Sequence, residues 1–341
     1  MKPIAPLLPP LAALLALAAL APAHAATYEL KATPQTVHRG FFDASLKPVL
    51  TVDSGDVVKL ETATGNPRYF EKLGVPKEKI PPELFAAFAD VDNDGRGDHT
   101  LDGPIAVRGA EPGDVLEIRI LKVDVRFPIA GQSFRPGKGV LPDEFNYQKD
   151  KVVWIDLKKR SIEYAPGVEV PIKPFWGVMA VAPEASRGRV SSGPPDVFGG
   201  NLDNRELGAG STLFLPVQTA GALLSIGDGH AVQGDGEVCL SAVETSLKGE
   251  VQVILHKNMH LKRPRAETPT DYMTIGLDPD LNEAARQATS DMVDFLATSK
   301  GIPRDDAYML SSAALRLIVA EAVDGTKEVK AEIAKSIFKR K

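Results

Sequence analysis

The 341-residue chain carries 40 Lys and Arg against 45 Asp and Glu, a formal net charge of -5. That balance, with no basic stripe, excludes a nucleic-acid-binding surface. Cys239 is the only cysteine, which excludes an intrachain disulfide, and the 43% hydrophobic composition supplies a core that can do without one.

The first 25 residues read as a secretory signal peptide. Met1-Lys2 is a short positive start, Leu7 to Ala21 is apolar, and Ala23-His24-Ala25 fits a small-residue cleavage site. Pro6, Pro9 and Pro10 interrupt the stretch, which falls short of the ~20 apolar residues of a membrane span. The expectation is a periplasmic or secreted protein of about 316 residues with no membrane attachment after cleavage.

From Thr27 to about Gly276 short strands alternate with Gly, Pro and Asp turns. Pro48–Leu60 reads as strand, turn, strand. Pro112-Gly113-Asp114 opens Val115–Val123, whose alternation of apolar and charged residues predicts one buried and one wet face. Val152–Leu157, Val168–Ile172 and Thr212–Val217 continue the pattern. The fold expected is mainly β with some α+β character, a β-sandwich-like core followed by two C-terminal helices. Asp278-Pro279-Asp280 starts the first helix, which runs to Gly301. The second is predicted from Arg304 to Val323, giving a helical part over residues 277–341. The mixed polarity of these helices points to a homo-oligomer.

Two stretches carry ligand chemistry. Asp90-Val91-Asp92-Asn93-Asp94-Gly95, with Asp98 in ninth place, matches the first half of an EF-hand-type calcium loop. Its twelfth place is Leu101 instead of a bidentate Glu, so the site expected is weak; the other reading is a polar surface turn. The second stretch, Asp228-Gly229-His230-Ala231-Val232-Gln233-Gly234-Asp235-Gly236-Glu237, puts four titratable groups among three glycines. It reads as a polar loop aimed into a pocket, since acids are rarely buried without partners and glycine weakens strand interiors. Glu237–Glu244 reads as a following strand, with Asp235, Glu237, Cys239 and Ser241 on one face.

Several blocks resemble the acetamidase/formamidase family. Gly103–Leu116 (GPIAVRGAEPGDVL), Phe198–Asp203 (FGGNLD), Gly210–Val217 and the Asp228–Glu237 stretch follow that family's motifs in order, as does Asp305–Ser312. The resemblance implies a mainly β fold and hydrolysis of small linear amides to acid and ammonia. The chain departs from the family at Arg39, where the family reads Trp, at Arg316, near a family Asp, and at Glu328 and Lys330, in place of Gly and His. These departures bear on substrate and on turnover itself.

Amide hydrolysis needs a polarised carbonyl, an activated water or side chain, and an acid for the leaving nitrogen. The assignment is His99, Asp203 and His230 as ligands of zinc or a similar divalent ion, with Asp228 close by. Glu237 is the general acid or base, its proton affinity raised by neighbouring Asp235, and the Asn201 side chain or backbone N–H groups near Gly199-Gly200 steady the oxyanion. Asp203 has a second reading as a turn cap, and Cys239 has one as a thiol nucleophile. The rival function is a non-enzymatic binder of small amides or a cation.

Overall fold

The computed structural model describes residues 25–89 and 95–339. Two nine-stranded sheets organise them. The first runs in the order Thr27–Lys31, Val57–Glu61, Leu247–His256, Val115–Val125, Thr212–Pro216, Arg265–Glu267, Asp271–Asp278, Lys327–Ala334 and Leu315–Glu321. The second runs Gly199–Asn201, Phe175–Ala180, Leu224–Val232, Val243–Glu244, Ile129–Phe134 and Lys149–Trp154. Thr100–Val107 joins it on Leu224–Val232 and carries Val37–Arg39 and Leu50–Val52.

One hydrophobic cluster draws side chains from both sheets. Leu116, Ile118 and Val251 of the first meet Ile105, Val178 and Ile226 of the second in a single core. Burial of such aliphatic side chains contributes roughly 1.5–3 kcal/mol each. The alternation read in Val115–Val125 holds only in its second half. Val115 to Ile118 are buried on both faces, and Glu117 is tolerated there because Arg119 Nε and His256 Nε2 each lie 2.5 Å from its carboxylate.

Helix Leu281–Lys300 is capped by the Asp280 side chain and ended by left-handed Gly301, as its sequence signals indicate. It lies on strands Asp271–Asp278 and Lys327–Ala334, with Ala284 and Ala288 in the contact. Gly276 makes the close approach possible, since a methyl there would come within 2.7 Å of the Ala288 nitrogen. The second helix is shorter than predicted, Arg304–Ala314. Residues Leu315–Glu321 form the edge strand of the first sheet instead, paired antiparallel with Lys327–Ala334. The β-branched pair Ile318-Val319 suits that state, and the hairpin partner supplies hydrogen bonds that outweigh local helix preference. The C-terminal part is therefore helix, helix, hairpin. Among the described residues no helix is long and apolar enough to cross a membrane.

Candidate active site

The Asp228 stretch is not the loop its composition suggests. Asp228, Gly229 and His230 lie inside the buried strand Leu224–Val232, and the chain leaves the sheet only at Gln233. Phe175, Trp176 and Val178 pair with His230, Gly229 and Gly227, so Gly177 faces Asp228. A methyl on Gly177 would collide with Asp203 Oδ1, lie 2.6 Å from Asp228 Oδ2 and 2.8 Å from His230 Cε1. The glycine is the space in which three polar side chains meet. Asp203, Asp228 and Glu237 all adopt positive φ, at 45°, 54° and 45°. Non-glycine residues hold that conformation only where the surroundings fix them, which is common at functional sites.

His230 is the centre of the cluster. Its Nε2 lies 3.0 Å from Asp228 Oδ2, 3.2 Å from Glu244 Oε2 and 3.7 Å from Asp203 Oδ1. The imidazole is edge-on to Phe175 with ring centroids 4.9 Å apart. One ring nitrogen cannot satisfy three carboxylates. It bonds Asp228, and Asp203 Oδ1 and Glu244 Oε2 are left buried without a hydrogen-bond donor. Three overlapping groups are close enough to hold a divalent ion: Asp203, Asp228 and His230; His230, Glu237 and Glu244; Asp203, Glu237 and Asp324. The orphaned oxygens and the mixed imidazole–carboxylate donors fit such an ion.

The electrostatics follow from crowding. Burial pushes the Asp203 carboxyl well above the usual carboxylate range, and Asp228, Asp324 and Glu321 add repulsion that His230 only partly offsets. Burial likewise raises Glu237, with Asp203, Glu244 and Asp324 adding to it against His230. Asp228 goes the other way: burial opposes its charge, but His230 and His99 outweigh it and hold the group ionised. Burial also opposes charge on His230, yet Glu244 and Asp228 lift its affinity for a proton well above 6.5. Carboxylates therefore crowd this site with few cations to offset them.

Asp203, Asp228, His230 and Glu237 converge as the sequence suggests. The other assignments change. His99 fixes its ring by Nδ1 on Ser192, at 3.0 Å from both the carbonyl and the hydroxyl, and its Nε2 stands 3.9 Å from Asp228 Oδ2. It lines the cavity beyond the tight ligand groups, and Asp228 takes its place there. Asn201 gives one of its two amide N–H groups to Asp324 Oδ2 at 2.6 Å, and its Oδ1 is an acceptor without a partner. The Gly199 N–H is likewise committed, to the Asp196 carbonyl.

Asp235 points away from the cluster, to Lys330 Nζ at 2.9 Å and Arg205 at 3.7 Å. The cause is local. Residues 235–242 form turns instead of the expected strand, so period-2 reasoning puts Asp235 and Glu237 on one face wrongly. Lys330 is buried and is held by Asp235 and Glu332. Arg316 pairs with Glu332 at 2.5 Å. Cys239 is half-buried near Gln132 and Ser241, outside the His230 cluster. His38 is buried on Ser225 Oγ at 3.0 Å, and burial lowers its pKa to about 4.

Of the calcium-type loop, Asp90, Asp92 and Asp94 lie outside the described residues. Asp98 is exposed and 3.3 Å from Arg135. Sequence reasoning missed Glu244, Asp324 and Gln233. Glu244 is the cross-strand neighbour of His230. Asp324 sits in the turn of the C-terminal hairpin, where it reads as a helix stop.

Residues 29–190 and 185–340 match the Acetamidase/Formamidase family. The formamidase of Methylophilus methylotrophus is 30% identical over 271 residues, 58% of this chain and 66% of that protein. The crystal structure of an acetamidase from Bacillus halodurans superposes with a TM-score of 0.77 at 31% identity, covering 91% of this chain and 98% of its own. That of an acetamidase from Yersinia enterocolitica gives 0.79 at 30% identity, with 92% and 93% covered. The chain spans about half to two thirds of the length of the curated relatives it matches.

Proposed function

Because the chain belongs to the acetamidase/formamidase family, we propose that it hydrolyses small linear amides to carboxylic acid and ammonia, assisted by a divalent metal held by Asp203, Asp228 and His230. The observation that carries the reading is the buried His230 Nε2 facing three carboxylate oxygens, two of which lack a donor. Such a mixed donor set suits zinc better than calcium, which prefers oxygen alone. When bound, the metal supplies a Lewis acid for the carbonyl and lowers the pKa of water.

The chain's own residues do the rest. Gln233 accepts from His230 Nδ1 at 2.8 Å and leaves Nε2 facing the carboxylates. Glu237, whose proton affinity burial raises, takes a proton from the attacking water and delivers it to the departing nitrogen as the C–N bond breaks. Asn201 fixes Asp324 beside Glu237. The leader composition supports export to the periplasm or the medium. Exposed Tyr308, Met309 and Leu317 near the edge strand support self-association.

The test is ammonia release from formamide and acetamide by the purified protein, with and without a chelator. Release that the chelator suppresses and zinc restores is the expected result. Zinc binding without ammonia would leave the chain as a ligand-capturing member of its family.

A further inference from the structure

The cavity over Asp228 and Glu237 is larger and more cationic at its mouth than formamide or acetamide requires. Its volume is about 450 Å³, within the range of pockets that enclose drug-sized ligands, roughly 300–1,000 Å³. Asp203, Asp228, Glu237 and Glu244 line its floor, with Tyr69 and Phe88 along the sides and Arg39, Arg135 and Lys138 at the opening.

Among the described residues, Arg135 lies 3.3 Å from the Asp98 side chain, and Arg39 Nε donates to the Asp98 backbone carbonyl at 3.3 Å. That exposed pair is weak by its setting. Lys138 has neither an ion pair nor a side-chain hydrogen bond among the described residues. Arg135 and Lys138 both line the cavity while remaining exposed to solvent.

The two are also held in place. The Lys138 N–H bonds the Arg135 carbonyl at 3.2 Å, closing a turn that carries both charges. The Val140 N–H bonds the Val238 carbonyl at 2.9 Å, which fastens that segment to the turn bearing Glu237. An acidic floor and a cationic opening at the end of one cavity select a ligand with unlike ends.

We propose that the preferred substrates are amides bearing a carboxylate a few bonds from the carboxamide, the monoamides of short dicarboxylic acids. Arg135 and Lys138, with Arg39, hold the carboxylate, and the carboxamide reaches the floor at Asp228 and Glu237. This rests on the amide-hydrolase reading above and names the substrate class for that site.

The test compares succinamate, butyramide and 3-aminopropanamide, three amides of similar length with an anionic, neutral and cationic end. At low salt kcat/KM is expected to be at least about tenfold higher for succinamate than for butyramide and lowest for 3-aminopropanamide, with the preference shrinking as salt rises. The double substitution Arg135→Gln, Lys138→Gln is expected to lower the succinamate-to-butyramide ratio about tenfold. Lys138→Glu, a surface charge reversal, is expected to lower it further, and circular dichroism checks the fold of each variant.

Calorimetric titration with succinamate separates this claim from hydrolysis. Binding that weakens in the variants without any turnover upholds the cationic mouth and refutes the hydrolytic reading. Butyramide turnover with no preference for succinamate, or a preference the variants leave intact, overturns the substrate class. Neither binding nor turnover overturns both.

Discussion

Gln233 links two members of the site: its Oε1 accepts from His230 Nδ1 at 2.8 Å, while its Nε2 donates to the Asp203 carbonyl at 2.6 Å. The amide cannot turn over without losing both bonds, so it sets which imidazole nitrogen faces the carboxylates. Partners of this kind typically contribute about 10–100-fold to metal affinity. Gln233→Ala is therefore expected to weaken zinc binding by about that factor, and His230→Asn by more. Competition titration against a chelator checks both; wild-type affinity in Gln233→Ala would remove the orienting role.

Gly177 leads to a steric prediction. An alanine methyl would occupy the volume where Asp203, Asp228 and His230 meet. Overpacking of this kind destabilises by about 1–3 kcal/mol. Gly177→Ala is expected to fold with a lowered Tm and to lose metal binding and turnover together. Retained zinc affinity would show that the three side chains can part without harm.

A pH prediction follows from Glu328, buried against Asn204 Nδ2 at 2.8 Å. Burial raises its pKa from 4.5 to about 8, with Lys330 offsetting only part of the effect. The folded state binds this proton more tightly than the unfolded chain does. The contribution to stability is therefore complete below about 4.5 and is lost as pH rises toward about 8. Glu328→Gln keeps an acceptor for Asn204 and removes the titration. It is expected to be more stable than the parent at pH 8, by on the order of 3 kcal/mol, and nearly equal to it at pH 5. Thermal melts at the two values decide it; a difference independent of pH would contradict the assignment.

Much of this architecture is legible in the chain. The turn-bounded strands, the Asp280 cap and the Gly301 stop are local signals, and local signals survive folding. Asp203, Asp228, His230 and Glu237 stand out because titratable groups crowd among glycines where a core strand should be plain. What misled was an assumption of regular geometry. Positive φ at Glu237 breaks the alternation that would have kept Asp235 beside it. Leu315–Glu321 follows a helix with no Gly or Pro between, and only its pairing with Lys327–Ala334 makes it a strand. Glu244 and Asp324 carry no local mark, since each reaches the site through pairing with residues distant in sequence. His99 keeps its place on the cavity wall but not in the tight ligand group, a distinction of a few ångströms that no spacing encodes.

The central claim is that Glu237 moves the proton that amide cleavage requires. Ammonia release from acetamide by the parent protein and Glu237→Gln, measured side by side, tests it most directly. The account predicts a kcat lower by about 10²–10⁴-fold in the variant, with circular dichroism and Tm unchanged. Equal kcat in the two proteins would contradict it.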